Sequence, residues 1–186
     1  MEMISRIRGF CFNPSRQFEA ARADTVGDAF KYFILLLAFL AAILAIAVTG
    51  IVLLIGIPEM SVFAPLLGAG AFVGILVIGI FAAMYLSVWL HIWVYLLGGK
   101  KGFKQTVKAI TYGTTPCLLL GWLPGVNVII APIWSLLLVI NGLMELHEMS
   151  PGMVIISVVL AILVPLVIVG VVGAAIGLMM LDSMGM

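Results

Sequence analysis

The sequence predicts an all-α polytopic membrane protein: a bundle of five transmembrane helices with a short N-terminal interfacial helix ahead of it. Three observations predict it. Apolar residues make up 65% of the 186-residue chain and charged residues only 9%. Soluble domains hold about 45–50% and about 25%, so lipid has to cover the surplus. The apolar residues gather into five long stretches, four free or nearly free of charge and one holding a single histidine. All nine lysines and arginines fall in segments on one side of those stretches.

The elements follow in order. Residues 1–31 carry Arg6, Arg8, Arg16 and Arg22 but no apolar run of the kind a cleaved signal has, so the first span is expected to act as an uncleaved signal. Asn13-Pro14-Ser15 reads as a helix start, with asparagine at the N-cap and proline in the first turn. The helix it opens has Phe18 and Ala21, with Phe12 just before it, as apolar positions and Arg16, Glu19, Arg22 and Asp24 as polar ones. That suits a helix lying on the cytoplasmic interface; a solvated lead-in is the alternative.

A membrane helix needs about 20 apolar residues, each adding about 1.5 Å. Residues 32–57 form the first span. Residues 65–97, the second, exceed the requirement and so tilt or extend beyond the bilayer. Residues 106–122 are short and contain Pro116; residues 127–146 contain Pro132 near their start; residues 153–181 contain Pro165. Irregular backbone cannot face lipid unpaired, so the spans are helices and the prolines mark expected kinks.

The basic residues orient them. Arg6, Arg8, Arg16, Arg22 and Lys31 precede the first span, and Lys100, Lys101, Lys104 and Lys108 follow the second. The segments at Glu59, 123–126 and Asp182 have none. The positive-inside rule places the N-terminus in the cytoplasm and the C-terminus outside a cell membrane. The acidic segment around Glu145, His147 and Glu148 is cytoplasmic on the same count.

Several function classes are excluded. No basic face interleaved with aromatics points to nucleic acid. Cys11 and Cys117 do not make a disulfide framework. Glu145-Leu146-His147-Glu148 is not a zinc-helix motif, and neither a nucleophile elbow nor a phosphate loop occurs. No catalytic, metal or cofactor residues, and no enzyme, are expected.

Polar residues inside spans remain. The second span ends with Tyr85, Ser87, Trp89, His91, Trp93 and Tyr95. Ser87, His91 and Tyr95 share a face, and the large aromatics suit an interfacial belt. His91 is an ionisable group at membrane depth, a functional candidate with a proton-linked role open to it; the plainer alternative is a neutral imidazole bonded to a neighbouring helix. Thr106, Thr111, Tyr112, Thr114 and Thr115 precede Pro116, and such hydroxyls bond across helices or recap carbonyls that a proline frees. With Asn141 on the fourth span, His91, Tyr112 and Thr115 make the candidate polar cluster, and Thr111, Tyr112 and Asn141 are the expected partners of His91. Gly70 with Gly74, and Gly173 with Gly177, have the spacing for close helix packing, expected within one chain.

An ordered series of short motifs adds a resemblance. Gly98-Gly99-Lys100-Lys101-Gly102-Phe103-Lys104-Gln105-Thr106 is followed by Tyr112 and by Thr115-Pro116. Next come Ile133-Trp134-Ser135-Leu136, then Gly142-Leu143, Glu145, His147 and Met149-Ser150. With Asn13-Pro14 and Phe18 ahead of it, this series, from about Asn13 to Ser150 with a fifth span beyond, resembles the membrane domain of the Yip family (Ypt-interacting proteins). The resemblance implies five membrane helices and a cytoplasmic N-terminus. Eukaryotic relatives bind Rab-type small GTPases and act in vesicle traffic and membrane shaping. The chain lacks their long N-terminal region and its Asp-Leu-Tyr-Gly-Pro motif, so GTPase binding is not carried over and a short prokaryotic-type member is expected. The implied role is non-enzymatic organisation of membrane or partner proteins, with the lipid bilayer, other membrane proteins or a second copy as partners. The alternative is a small channel or transporter with a polar path near His91, Tyr112 and Asn141.

Overall fold

A computed structural model describes residues 3–183, and among them every regular element is helical. Two short helices come first, α1 (Met3–Phe12) and α2 (Pro14–Ala20), then a 3₁₀ turn at Ala21–Ala23. The long helices are α3 (Val26–Ile55), α5 (Ala64–Leu96), α8 (Ala131–His147) and α9 (Pro151–Ser183). Between them lie α4 (Pro58–Ser61), α6 (Phe103–Gly113), α7 (Thr115–Leu120) and a π-helical turn at Val126–Ile130. Four helical stretches are long and apolar enough to cross a membrane: Val26–Ile55, Ala64–Leu96, Val126–His147 and Pro151–Met180. Their outward side chains, among them Leu54, Phe81, Ile133 and Leu166, are exposed, as an apolar surface meeting lipid requires. The chain is a polytopic all-α membrane protein.

Local chemistry sets the boundaries. Thr25 caps α3 in a full capping box: its hydroxyl accepts from the Asp28 N–H at 3.1 Å, and the Asp28 carboxylate accepts from the Thr25 N–H, also at 3.1 Å. Gly56 ends α3 in the left-handed region at φ 71°. The expected third span, 106–122, is two helices, not one. Pro116 sits in the first turn of α7, where its missing N–H costs little, and its ring prevents α6 from running on. Pro132 likewise occupies the first turn of α8, just after the π turn. Pro165 lies inside α9, which continues through it.

The short helix α6 is the centre of the molecule. Every residue from 106 to 113 is buried, because α3, α5 and α8 pack around it. Gly113 and Gly142 permit the tight α6–α8 approach. A Cβ on Gly113 would stand 2.9 Å from the Val139 backbone nitrogen, and one on Gly142 would stand 3.1 Å from the Ala109 Cβ. Gly70, Gly74, Gly173 and Gly177 have nothing within 4 Å of where a Cβ would be, so neither of those pairs packs within the chain, contrary to expectation.

The N-terminal segment is part of the bundle. Sequence patterning foresees α2 but not α1, and Asn13 makes no side-chain cap. Phe10 and Phe18 are fully buried. Phe10 stacks on Tyr112 at 4.5 Å between centroids and meets Phe18 edge-on at 5.0 Å. Contacts step along α8: Phe12 against Trp134, Ser15 against Asn141, and Arg22 against Glu145 and Glu148. Burying each phenylalanine contributes about 1.5–3 kcal/mol, which is why these apolar residues dock rather than float as a lead-in.

Candidate functional site

The polar residues of the interior divide into two clusters. The first ties the N-terminal segment to α6. Tyr112 is fully buried; its hydroxyl donates to Asp24 Oδ2 at 2.6 Å and accepts from Arg6 Nη2 at 2.9 Å. Arg6 also pairs with Asp24, and its guanidinium lies 5.2 Å from the Tyr112 ring centroid, within cation–π range. Lys108, 2% exposed, donates to the carbonyls of Ala21 and Arg22 at 3.0 Å and of Asp24 at 3.3 Å. Those carbonyls lie where the 3₁₀ turn ends, the place a cation suits. Lys108 is therefore no loop residue: it anchors α6 to the segment before α3.

The second cluster is a hydroxyl between two imidazoles. His91 Nδ1 is 2.8 Å from Thr106 Oγ1, and His147 Nε2 is 2.9 Å from the same oxygen. Thr106 is fully buried and His147 is 3% exposed, while His91 is half-buried.

Two further arrangements repair backbone that prolines leave open. Pro116 frees the carbonyl of Tyr112, and Thr115 Oγ1 donates to it at 2.6 Å. The Tyr32 hydroxyl in turn lies 3.0 Å from Thr115 Oγ1 and serves as its donor. Pro165 frees the carbonyl of Ala161, and Trp89 Nε1 on α5 donates to it at 2.8 Å. Ser135 Oγ accepts from the Cys117 N–H at 3.0 Å near the start of α7. Each partner removes an unpaired group that would cost several kcal/mol in hydrocarbon.

The structure does not bring the expected cluster together. His91 meets Thr106 and His147, not Thr111, Tyr112 or Asn141. Thr111 turns to the Val107 carbonyl at 2.8 Å. Asn141 is at the periphery, its Nδ2 on the Leu137 carbonyl at 3.1 Å and its Oδ1 accepting from Ser15 at 3.3 Å. The reason is register. Antiparallel helices joined by a tight turn pair residues about equally far from that turn, and His91 and Thr106 flank Gly98-Gly99 in this way. That spacing is readable in the sequence and identifies Thr106. His147 carries no comparable local signal.

The motif residues at the same end hold the turn. Gly98 has φ 106°, a conformation glycine adopts without strain. Gly99 lies against Val94 and Met149. Lys101 Nζ is 2.7 Å from Glu148 Oε2, and Arg22 is 3.3 Å from Glu148 Oε1 and 3.6 Å from Glu145 Oε2. Lys104 is exposed. Lys101, by hydrogen bond and by charge, holds the Glu148 carboxyl below its usual range, and burial pushes the Cys11 thiol up. A lateral cavity of about 280 Å³ opens between α5, α6, α7, α8 and α9. Trp89, Ile110, Val139 and Val158 line it, and His91 does not.

The Yip1 domain model matches residues 8–175. The chain belongs to the Yip family. Neither the curated proteins nor the solved structures yield a match. The match takes in α2 through most of α9, and so the His91–Thr106–His147 cluster and all of the other cluster but Arg6.

Proposed function

We propose that this Yip-family chain is a non-enzymatic membrane protein that organises the bilayer or partner membrane proteins. It crosses a cell membrane five times, with the N-terminus in the cytoplasm and the C-terminus outside. The Yip1 domain match over residues 8–175 carries this reading.

Ion pairs support the count of crossings. Arg22, Lys101 and Glu148 touch one another through salt bridges, so they share one side of the membrane. α3 and α5 lie between Arg22 and Lys101 and return the chain to that side. α8 ends beside Glu148, so the segment from Lys101 to the start of α8 has to cross as well. α6 and α7 together give about 26 Å of helix at about 1.5 Å per residue, close to the roughly 30 Å hydrocarbon core.

The paired polar groups support an organiser over a conduit. Tyr112, Thr115, Trp89 and Ser135 bond to neighbouring helices or to freed backbone, and the lateral cavity beside them is lined mainly by apolar side chains. The test is purified protein in liposomes, followed by electron microscopy of vesicle shape and by ion and proton flux. The organiser reading expects altered vesicle curvature or clustering, with flux no higher than in empty liposomes. Flux between about pH 5 and 8, where histidine titrates, that is lost in His91→Gln would establish the channel or transporter instead.

A further inference from the structure

Thr106 Oγ1 carries one proton and lies within bonding distance of two ring nitrogens, His91 Nδ1 at 2.8 Å and His147 Nε2 at 2.9 Å. The hydroxyl can donate to one ring only, so the other ring donates to it. Two arrangements of protons satisfy the bridge. The two ends differ. His91, on α5, is half-buried, while His147, on α8, is 3% exposed and its Nδ1 is buried without a hydrogen-bond partner.

The surroundings leave any charge on this bridge to the bridge itself. His91 faces the Phe103 ring at 5.3 Å and the Tyr95 ring at 6.2 Å, and the imidazole centroids are 6.0 Å apart. On α6, Lys104 is exposed, and Lys108 is turned to the carbonyls of Ala21, Arg22 and Asp24. On and after α8, Glu145 and Glu148 are engaged by Arg22 and Lys101. α9 brings Ser157 and apolar side chains to the bundle. Among the described residues, no carboxylate bonds either ring.

We propose that His91, Thr106 and His147 form a proton-binding site that holds one added proton across the hydroxyl, at the junction of α5, α6 and α8. The proton enters at His91 Nε2. The His91 Nδ1 proton passes to Thr106 Oγ1, and the hydroxyl proton passes to His147 Nε2. Only N–H and O–H bonds form and break, and the reverse transfers return the charge to the outer, more exposed ring, so the added proton is shared between the two. A second proton would set two imidazolium ions side by side with no carboxylate to offset them, so the pair titrates as a unit. This inference concerns what the junction binds and stands apart from whether the chain organises membranes.

The chain has two histidines, which makes the test direct. Full-length protein with ¹⁵N-labelled histidine, in lipid nanodiscs, is titrated from about pH 8 to about pH 5 and the ring nitrogen shifts are followed. The expected result is one shared titration, with both rings changing together and one proton taken up per chain. Thr106→Val, which removes the hydroxyl and keeps the shape, should split it into two unlike curves; Thr106→Ser should keep it whole. Two independent curves in the wild type, no charge change at either ring, or an unaltered shared curve in Thr106→Val would each overturn the proposal. Should Thr106→Val not fold, the wild-type and Thr106→Ser titrations decide.

Discussion

Tyr112 concentrates what single side chains do in this molecule. Its ring is the floor on which Phe10 stacks, and its hydroxyl links Arg6 to Asp24. Tyr112→Phe keeps the ring and removes the link. Because the partners are charged, the cost should be about 1.5–3 kcal/mol, above the average of about 0.6 kcal/mol for a hydrogen bond inside a membrane bundle. Unfolding in detergent by a chemical denaturant measures it. Phe10→Ala removes the stacked ring itself and should cost about 3–5 kcal/mol in the same assay. Glu148 gives a pH signature. Its folded carboxyl lies below the ordinary value of 4.5. The stability from pairing with Lys101 is therefore fully present above that value and is lost as pH falls through the folded one. Melting of the wild type should weaken as the pH drops below about 4.5, and Glu148→Gln should lose that part of the dependence.

Elements here are joined by repaired breaks. α9 runs through Pro165 because Trp89, on another helix, bonds the freed Ala161 carbonyl. Trp89→Phe should cost about 1–3 kcal/mol by leaving that carbonyl unpaired. Pro165→Ala restores a backbone N–H to the same carbonyl. In that background Trp89→Phe should cost clearly less, and a double-mutant cycle reads the difference. Equal costs in both backgrounds would show that Trp89 acts by packing alone.

The long helices were legible in the sequence because a charge-free run of such length has one outcome in lipid. The break at Thr114 was half legible: Pro116 announced a disturbance, and the neighbouring threonines suggested a repair, but which hydroxyl performs it depends on helix rotation. α1 was not legible. Its arginines read only as part of a basic cytoplasmic or interfacial segment, and only the fold supplies Tyr112 and Asp24 to receive Arg6. The same limit explains why His91 and Asn141, read as one cluster with Tyr112 and Thr115, lie apart from them. Sequence spacing gives a residue's depth along its own helix, and neighbours at that depth are set by turns such as Gly98-Gly99.

At the scale of the whole molecule, a short polar helix occupies the centre, apolar helices surround it and the N-terminal segment closes one end. Protein covers α6 from Thr106 to Gly113, so its polar side chains are tolerated within an apolar bundle. In the proposed topology the ion pairs among Arg22, Lys101 and Glu148 put those residues on one side of the membrane, and the broken α6–α7 unit carries the chain across between them. Single cysteines at Glu59, Lys101 and Pro124, in an otherwise cysteine-free chain, test this arrangement most directly when labelled from each side of sealed membranes. The arrangement predicts that Lys101→Cys reacts from the cytoplasm and that Glu59→Cys and Pro124→Cys both react from outside. Labelling of Pro124→Cys from the same side as Lys101→Cys would contradict it, since α6 and α7 would then not cross.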